Sequence, residues 1–174
     1  REALQRLETQ AMLTRDGRSL IVASLDHNQL AELYAVRTEL EGLAARLAAR
    51  HATDEEIRVL KGMVAEDRAL VGGDPKLLSR ANKRFHKQIH LASHNRFLVQ
   101  QLDIVHRSMA LMANTSFAAE GRDEVALAEH DQIVAAIEGL SRVPEGAPVE
   151  LVSDSQYVLK GLSEWRKGWE LSLI

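Results

Sequence analysis

Apolar residues recur along this chain at three- and four-residue intervals over most of its length, and at two-residue intervals only briefly. From Asp26 to about His51, Leu30, Leu33, Tyr34, Leu40, Leu43, Ala44 and Leu47 share one face, which predicts a long amphipathic helix. Thr53-Asp54-Glu55-Glu56 forms a capping box, so a second helix starts there, runs to about Val71 and stops at Gly72-Gly73. Asp74 as N-cap and Pro75 at the first helical position open a third helix, which reaches about Ser93. Leu78, Ala81, Phe85, Ile89 and Ala92 are its apolar stripe. A fourth helix starts at Asn95 and turns Leu98, Leu102, Val105, Met109 and Met112 inward. A fifth, from about Asp123 to Leu140, aligns Ala126, His130, Ile133 and Ile137. Five such helices on short connections predict an all-α fold, an antiparallel helical bundle over residues 26–140.

The two ends read differently. Leu4, Leu7 and Met12 have helical spacing, and the chain opens as a helix already under way, so residues upstream are expected. Leu13 to Val22 then reads as a hairpin around the turn dipeptide Asp16-Gly17. A helix followed by a basic-tipped hairpin is the closing half of a winged helix-turn-helix, which makes residues 1–25 a remnant of a DNA-binding domain. Beyond Leu140 the composition shifts: Pro144 and Pro148 bracket a break, and Val149-Glu150-Leu151-Val152 alternates like a strand with no sheet to join. Residues 141–174 are therefore an atypical tail, with Ser155 to about Trp165 helical again.

Composition narrows the function classes. Hydrophobic residues are 45% and charged residues 27% of 174, a globular mix. A net charge of -3 supplies no global field for nucleic acid, so any DNA contact is local: Arg1, Arg6, Arg15 and Arg18 are the candidates. The absence of cysteine excludes a disulfide framework and thiolate chemistry, and it suits a cytoplasmic location. No apolar run approaches the ~18 residues that span a bilayer. Neither a Ser/His/Asp order nor a phosphate-cradling glycine loop is present, which argues against an enzyme.

Asn82 and His86 stand at i and i+4, at the edge of the third helix's apolar stripe, and His130 lies within the stripe of the fifth. Imidazoles delivered by two helices to one interior suit a divalent metal; the alternative is that they are hydrogen-bonded core residues. Arg37 falls among Leu33, Tyr34, Leu40 and Ala44, with Glu41 one turn later. It needs an anionic partner, which is either the carboxylate of a ligand or Glu41 itself. His106 lies beside the inward face of the fourth helix as a lining residue. His51 suits a helix C-terminus, His27 and His94 have weak cases, and His90 lies further round than His86 and is expected to face solvent.

These runs resemble a known family. Leu33-Tyr34-Ala35-Val36-Arg37-Thr38-Glu39-Leu40-Glu41, followed by Leu47-Ala48-Ala49, resembles the opening helix of the FCD effector domain found in the FadR branch of GntR-type regulators. Asn82-Lys83-Arg84-Phe85-His86 with Ala92-Ser93-His94-Asn95, and Glu129-His130 with Ile133, Ala136 and Ile137, are similar to its two later signatures. Arg1-Glu2-Ala3-Leu4, Arg6, Leu7 and Glu8 resemble the back of the family's recognition helix. The resemblance implies a ligand-responsive transcription regulator acting as a dimer on DNA. It further implies metal ligands at Asn82, His86 and His130 for zinc, nickel or manganese, and a small organic acid effector facing Arg37. The family's last metal-ligand histidine has no counterpart: Val152, Ser153 and Asp154 occupy that region and no histidine follows His130.

The tail resembles something else. Val149 to Leu162, with Trp165 and Gly168-Trp169, looks like a central segment of ribonuclease H, in which Asp154 matches a metal-binding carboxylate. One aspartate does not make a two-metal hydrolase, and the two resemblances meet near Ala135 to Leu140, as in a chimera. A nuclease fragment, or a dimerisation bundle without ligand, are the alternative readings to a sensor.

Overall fold

A computed structural model describes residues 2–9, 12–111, 117 and 119–144. Arg1, Met112 and the tail from residue 145, including the strand expected at 149–152 and Asp154, lie outside the described residues. The order of elements is α1 (Glu2–Thr9), β1 (Leu13–Asp16), β2 (Ser19–Val22), α2 (His27–His51), α3 (Asp54–Asp67), α4 (Pro75–Ala92), α5 (Arg96–Met109) and α6 (Arg122–Ser141).

The start of the chain forms a helix and a hairpin. β1 and β2 pair antiparallel with Asp16 opposite Ser19, so the loop is Gly17-Arg18, one residue on from the expected dipeptide. Gly17 has φ +57, the positive value that the first position of a tight hairpin loop demands of glycine. Arg15 of β1 returns to α1 and bonds Glu8 at 2.7 Å.

The helices of the antiparallel bundle begin where local chemistry satisfies their first N–H groups. Asp26 and Gln29 form one capping box, and Thr53 and Glu56 another. The side chains of Asp74 and Asn95 cap α4 and α5. α3 stops short of the expected Val71. Its α-helical bonding ends at Asp67 and tightens into a 3-10 turn over Arg68–Leu70, as helix ends commonly do.

α2 packs on α4, α5 and α6, and α3 packs on α4 and α6. The core joins Ala44, Ala48, Leu60, Phe85, Leu102 and Ile137 among others. Small alanines on α2 allow three helices to close around it, and Phe85 is fully buried at their junction. Truncating such a phenylalanine typically costs about 3–5 kcal/mol. Tyr34, expected inside, is exposed, because the buried positions of α2 begin only at Ala44. No described helix is long and apolar enough to cross a membrane.

Candidate functional site

Four helices deliver polar side chains to one cluster inside the bundle. α2 brings Arg37 and, one turn later, Glu41; α4 brings Asn82, His86 and His90 at successive i+4 steps; α5 brings His106 and α6 brings His130. Glu41 is the hub. Its Oε2 accepts from His90 Nε2 at 2.8 Å and from His86 Nδ1 at 3.3 Å. Its Oε1 accepts from His106 Nε2 at 3.0 Å and lies 3.6 Å from Arg37 Nε. An ionised carboxylate only accepts, so each imidazole carries its proton on the nitrogen facing Glu41.

The electrostatics follow from burial and these bonds. Burial alone pushes the Glu41 carboxyl up, but hydrogen bonds from His106, His86 and His90 outweigh it and hold the group well below the usual carboxylate range. Burial also lowers His90, and it prevails over the opposing pull of Glu41, so that ring is neutral. His90 Nδ1 and Arg37 Nε are buried without a hydrogen-bond partner. The guanidinium of Arg37 lies over Tyr34, 5.7 Å from the ring centroid.

The other half of the cluster is a pair. His130 Nε2 donates to Asn82 Oδ1 at 3.0 Å, and its ring stacks on Phe85 at 4.0 Å. Burial, reinforced by His86 and Arg122, pushes His130 down to about 3, so it is neutral at physiological pH. His86 meets His130 edge-on, with ring centroids 5.6 Å apart, and so stands between the Asn82–His130 pair and Glu41.

Of the residues expected to bind metal or effector, Arg37, Asn82, His86, His106 and His130 therefore come together. Among the expected DNA contacts, Arg6 and Arg18 are exposed and Arg15 is paired with Glu8. His90 is a correction. It has no solvent exposure, because α2 and α5 both close over the flank of α4 that carries it. Its signal was the i+4 step from His86, which keeps both rings on one side of the helix. Glu41 was read only as a partner for Arg37; nothing local announces that three histidines from two other helices converge on it.

Two donor sets of different quality share His86. Asn82, His86 and His130 offer two imidazoles and a neutral amide. Glu41, His86 and His90 offer a carboxylate and two imidazoles whose ligand atoms all lie within 4.8 Å of one another. Both are assemblies of nitrogen and oxygen donors that fit a first-row divalent ion, and the second carries the negative charge that the first lacks.

Comparison with known proteins accounts for this architecture. The model of the FCD domain matches residues 32–147, two thirds of the chain. The chain belongs to the FCD-domain family. An uncharacterised HTH-type transcriptional regulator, YdhC of Bacillus subtilis, is 30% identical to this FCD chain over 136 residues, 76% of the chain and 61% of the regulator. The chain thus spans about three fifths of that relative. The Nta operon transcriptional regulator of Aminobacter aminovorans is 43% identical over 67 residues, 38% of the chain and 32% of the regulator. Among solved structures, E. coli McbR/YncC superposes with a TM-score of 0.71 at 18% identity, covering 99% of this chain and 79% of that one. Streptococcus agalactiae GntR superposes at 0.52 and 24% identity, covering 80% and 71%. Those two likenesses show the fold.

The second resemblance is also present and remains short. Ribonuclease H of Methylorubrum extorquens is 49% identical over 39 residues, 22% of this chain and 17% of the enzyme. That match covers less than a quarter of the chain and of the enzyme, whereas the FCD model covers two thirds of the chain.

Proposed function

We propose that this chain is the effector-sensing part of a cytoplasmic, homodimeric GntR-type transcription regulator. A small carboxylate, together with a divalent metal, binds in the polar interior of the bundle and alters the grip of a winged helix-turn-helix on DNA. Residues 1–25 are the closing part of that winged domain. One observation carries the reading: Arg37, Glu41, His86, His106 and His130 reach a common interior from four helices, at the cost of desolvating them. A purely structural bundle gains nothing from placing a guanidinium and three imidazoles where apolar side chains pack more cheaply.

A thermal-shift screen against small carboxylic acids, alone and with zinc, nickel or manganese, tests it, since a ligand of the native state must raise stability. The expected result is a rise in Tm with at least one acid that is lost in Arg37→Met. No response to any acid or metal overturns the sensor and leaves a dimerisation bundle.

A further inference from the structure

We propose that the divalent cation of this chain binds to Glu41, His86 and His90, and not to the Asn82–His86–His130 set that the family resemblance implies. The proposal rests on the sensor reading for its purpose and on geometry for its place. Three observations support it.

The first is the donor set. Glu41 Oε2 already meets His90 Nε2 at 2.8 Å and His86 Nδ1 at 3.3 Å, and one ligand atom from each of the three residues lies within 4.8 Å of the other two. Tetrahedral ligands bonded at about 2.0–2.2 Å lie roughly 3.4 Å apart, so closing on an ion takes side-chain shifts of about 1 Å or less. The two histidines are an i, i+4 pair on one helix, the spacing with which helical metal sites present two imidazoles on one face.

The second is charge. Glu41 is an internal carboxylate beside three imidazoles, whereas the Asn82–His130 pair offers an uncharged amide whose oxygen already accepts from the imidazole. Among the described residues, the group of His, Cys, Asp and Glu side chains whose ligand atoms lie within 4.8 Å of one another is Glu41, His86 and His90, and His130 is not part of it. The histidine expected to complete that set is missing from the sequence after His130.

The third is the arrangement of the remaining groups. His106 bonds the other carboxylate oxygen, Oε1, and Arg37 approaches that same oxygen at 3.6 Å. With Glu41, His86 and His90 on the ion, three protein ligands leave a coordination position open. The dipositive ion, one carboxylate and Arg37 together leave the interior with excess positive charge. An anionic effector is the group that neutralises it, with Arg37 and His106 as its other contacts.

The test uses the full chain freed of metal by chelator, titrated with Zn2+, Ni2+ or Mn2+ by calorimetry. Glu41→Gln and His90→Gln are expected to weaken the tightest of these metals by at least about 100-fold, while Asn82→Ala and His130→Gln change it less than about threefold. Circular dichroism of each metal-free variant checks folding. Should His90→Gln not fold, the unaltered chain answers alone: long-range proton–nitrogen NMR of the imidazoles shows which ring nitrogens coordinate Zn2+. Coordination by His86 Nδ1 and His90 Nε2, with His130 unchanged, is the expected result. Loss of affinity in His130→Gln but not in His90→Gln, coordination by His130, or no binding of any of the three metals overturns the proposal. A chain that responds to organic acids yet binds no metal loses this site and keeps the sensor. Metal bound through Glu41 without any acid response does the reverse.

Discussion

His90 donates from Nε2 to Oε2 of Glu41 across 2.8 Å, from a ring with no solvent exposure. The bond joins α4 to α2 through the polar interior, and it makes Glu41 a structural residue as well as a candidate ligand. In metal-free protein, Glu41→Ala leaves the buried His90 N–H without an acceptor, while the half-buried His86 and His106 can turn toward water. The expected loss is about 1–3 kcal/mol in urea-induced unfolding. Glu41→Gln, which keeps an acceptor oxygen, is expected to lose less than Glu41→Ala.

Arg37 gives the complementary prediction. Its Nε is buried without a hydrogen bond, and its contact with Glu41 at 3.6 Å is loose. Arg37→Met keeps the stem packed while removing the charge. Metal-free stability is therefore expected to change by less than about 1 kcal/mol, the usual worth of a loosely held ion pair. Any Tm rise with a carboxylic acid is expected to vanish. A variant that unfolds instead marks Arg37 as a structural partner of Glu41.

These two residues also show where sequence reading stops. Helix starts were legible because capping is local: Asp26, Thr53, Asp74 and Asn95 each bond an N–H two or three residues ahead. The convergence of Asn82, His86 and His130 was legible from periodicity and the family's signatures, since each lies on or beside an apolar stripe. The role of Glu41 was not, because its partners lie 45, 49 and 65 residues away and nothing in its neighbourhood encodes them. His90 was misplaced for a related reason. A stripe predicts burial against one neighbour, and α4 is covered on a second flank as well. Tyr34 fails in the opposite sense, since apolar spacing continues along α2 past the point where the bundle covers it.

Asp67, at the end of α3, predicts a pH dependence remote from the polar cluster. Burial raises its pKa above the ordinary 3.8, against the opposing pull of Arg84, and Oδ2 has no partner. A carboxyl raised on folding contributes stability that is complete below its unfolded value and is lost as pH rises through its folded value. Asp67→Asn removes this term. The stability of the variant relative to the parent is expected to rise from pH 4 to pH 7 in thermal unfolding, and a flat difference over that range refutes the assignment.

Thr53 separates folding from binding. Its hydroxyl and Glu56 form the box that starts α3, a helix that supplies none of the clustered histidines. Thr53→Ala is expected to cost about 1 kcal/mol, within the roughly 0.5–2 kcal/mol usual for a lost cap. Affinity for metal and for acids is expected to stay unchanged in calorimetry under conditions where the variant is folded.

The proposed contact with DNA divides the basic residues of the N-terminal unit. Arg15 is already neutralised by Glu8 at 2.7 Å, whereas Arg18 stands at the tip of the hairpin and Arg6 on the exposed side of α1. A phosphate contact must pay to break the Arg15–Glu8 pair but meets no such competitor at Arg18. In fluorescence anisotropy with a DNA duplex, binding by this chain is expected to be weak and to fall steeply with salt. Arg6→Ala and Arg18→Ala are each expected to lower the slope of log K against log salt by about 1, while Arg15→Ala changes it less. Equal effects from all three arginines mean that the Arg15–Glu8 pair opens on DNA, and no effect from Arg18 removes the hairpin from the interface.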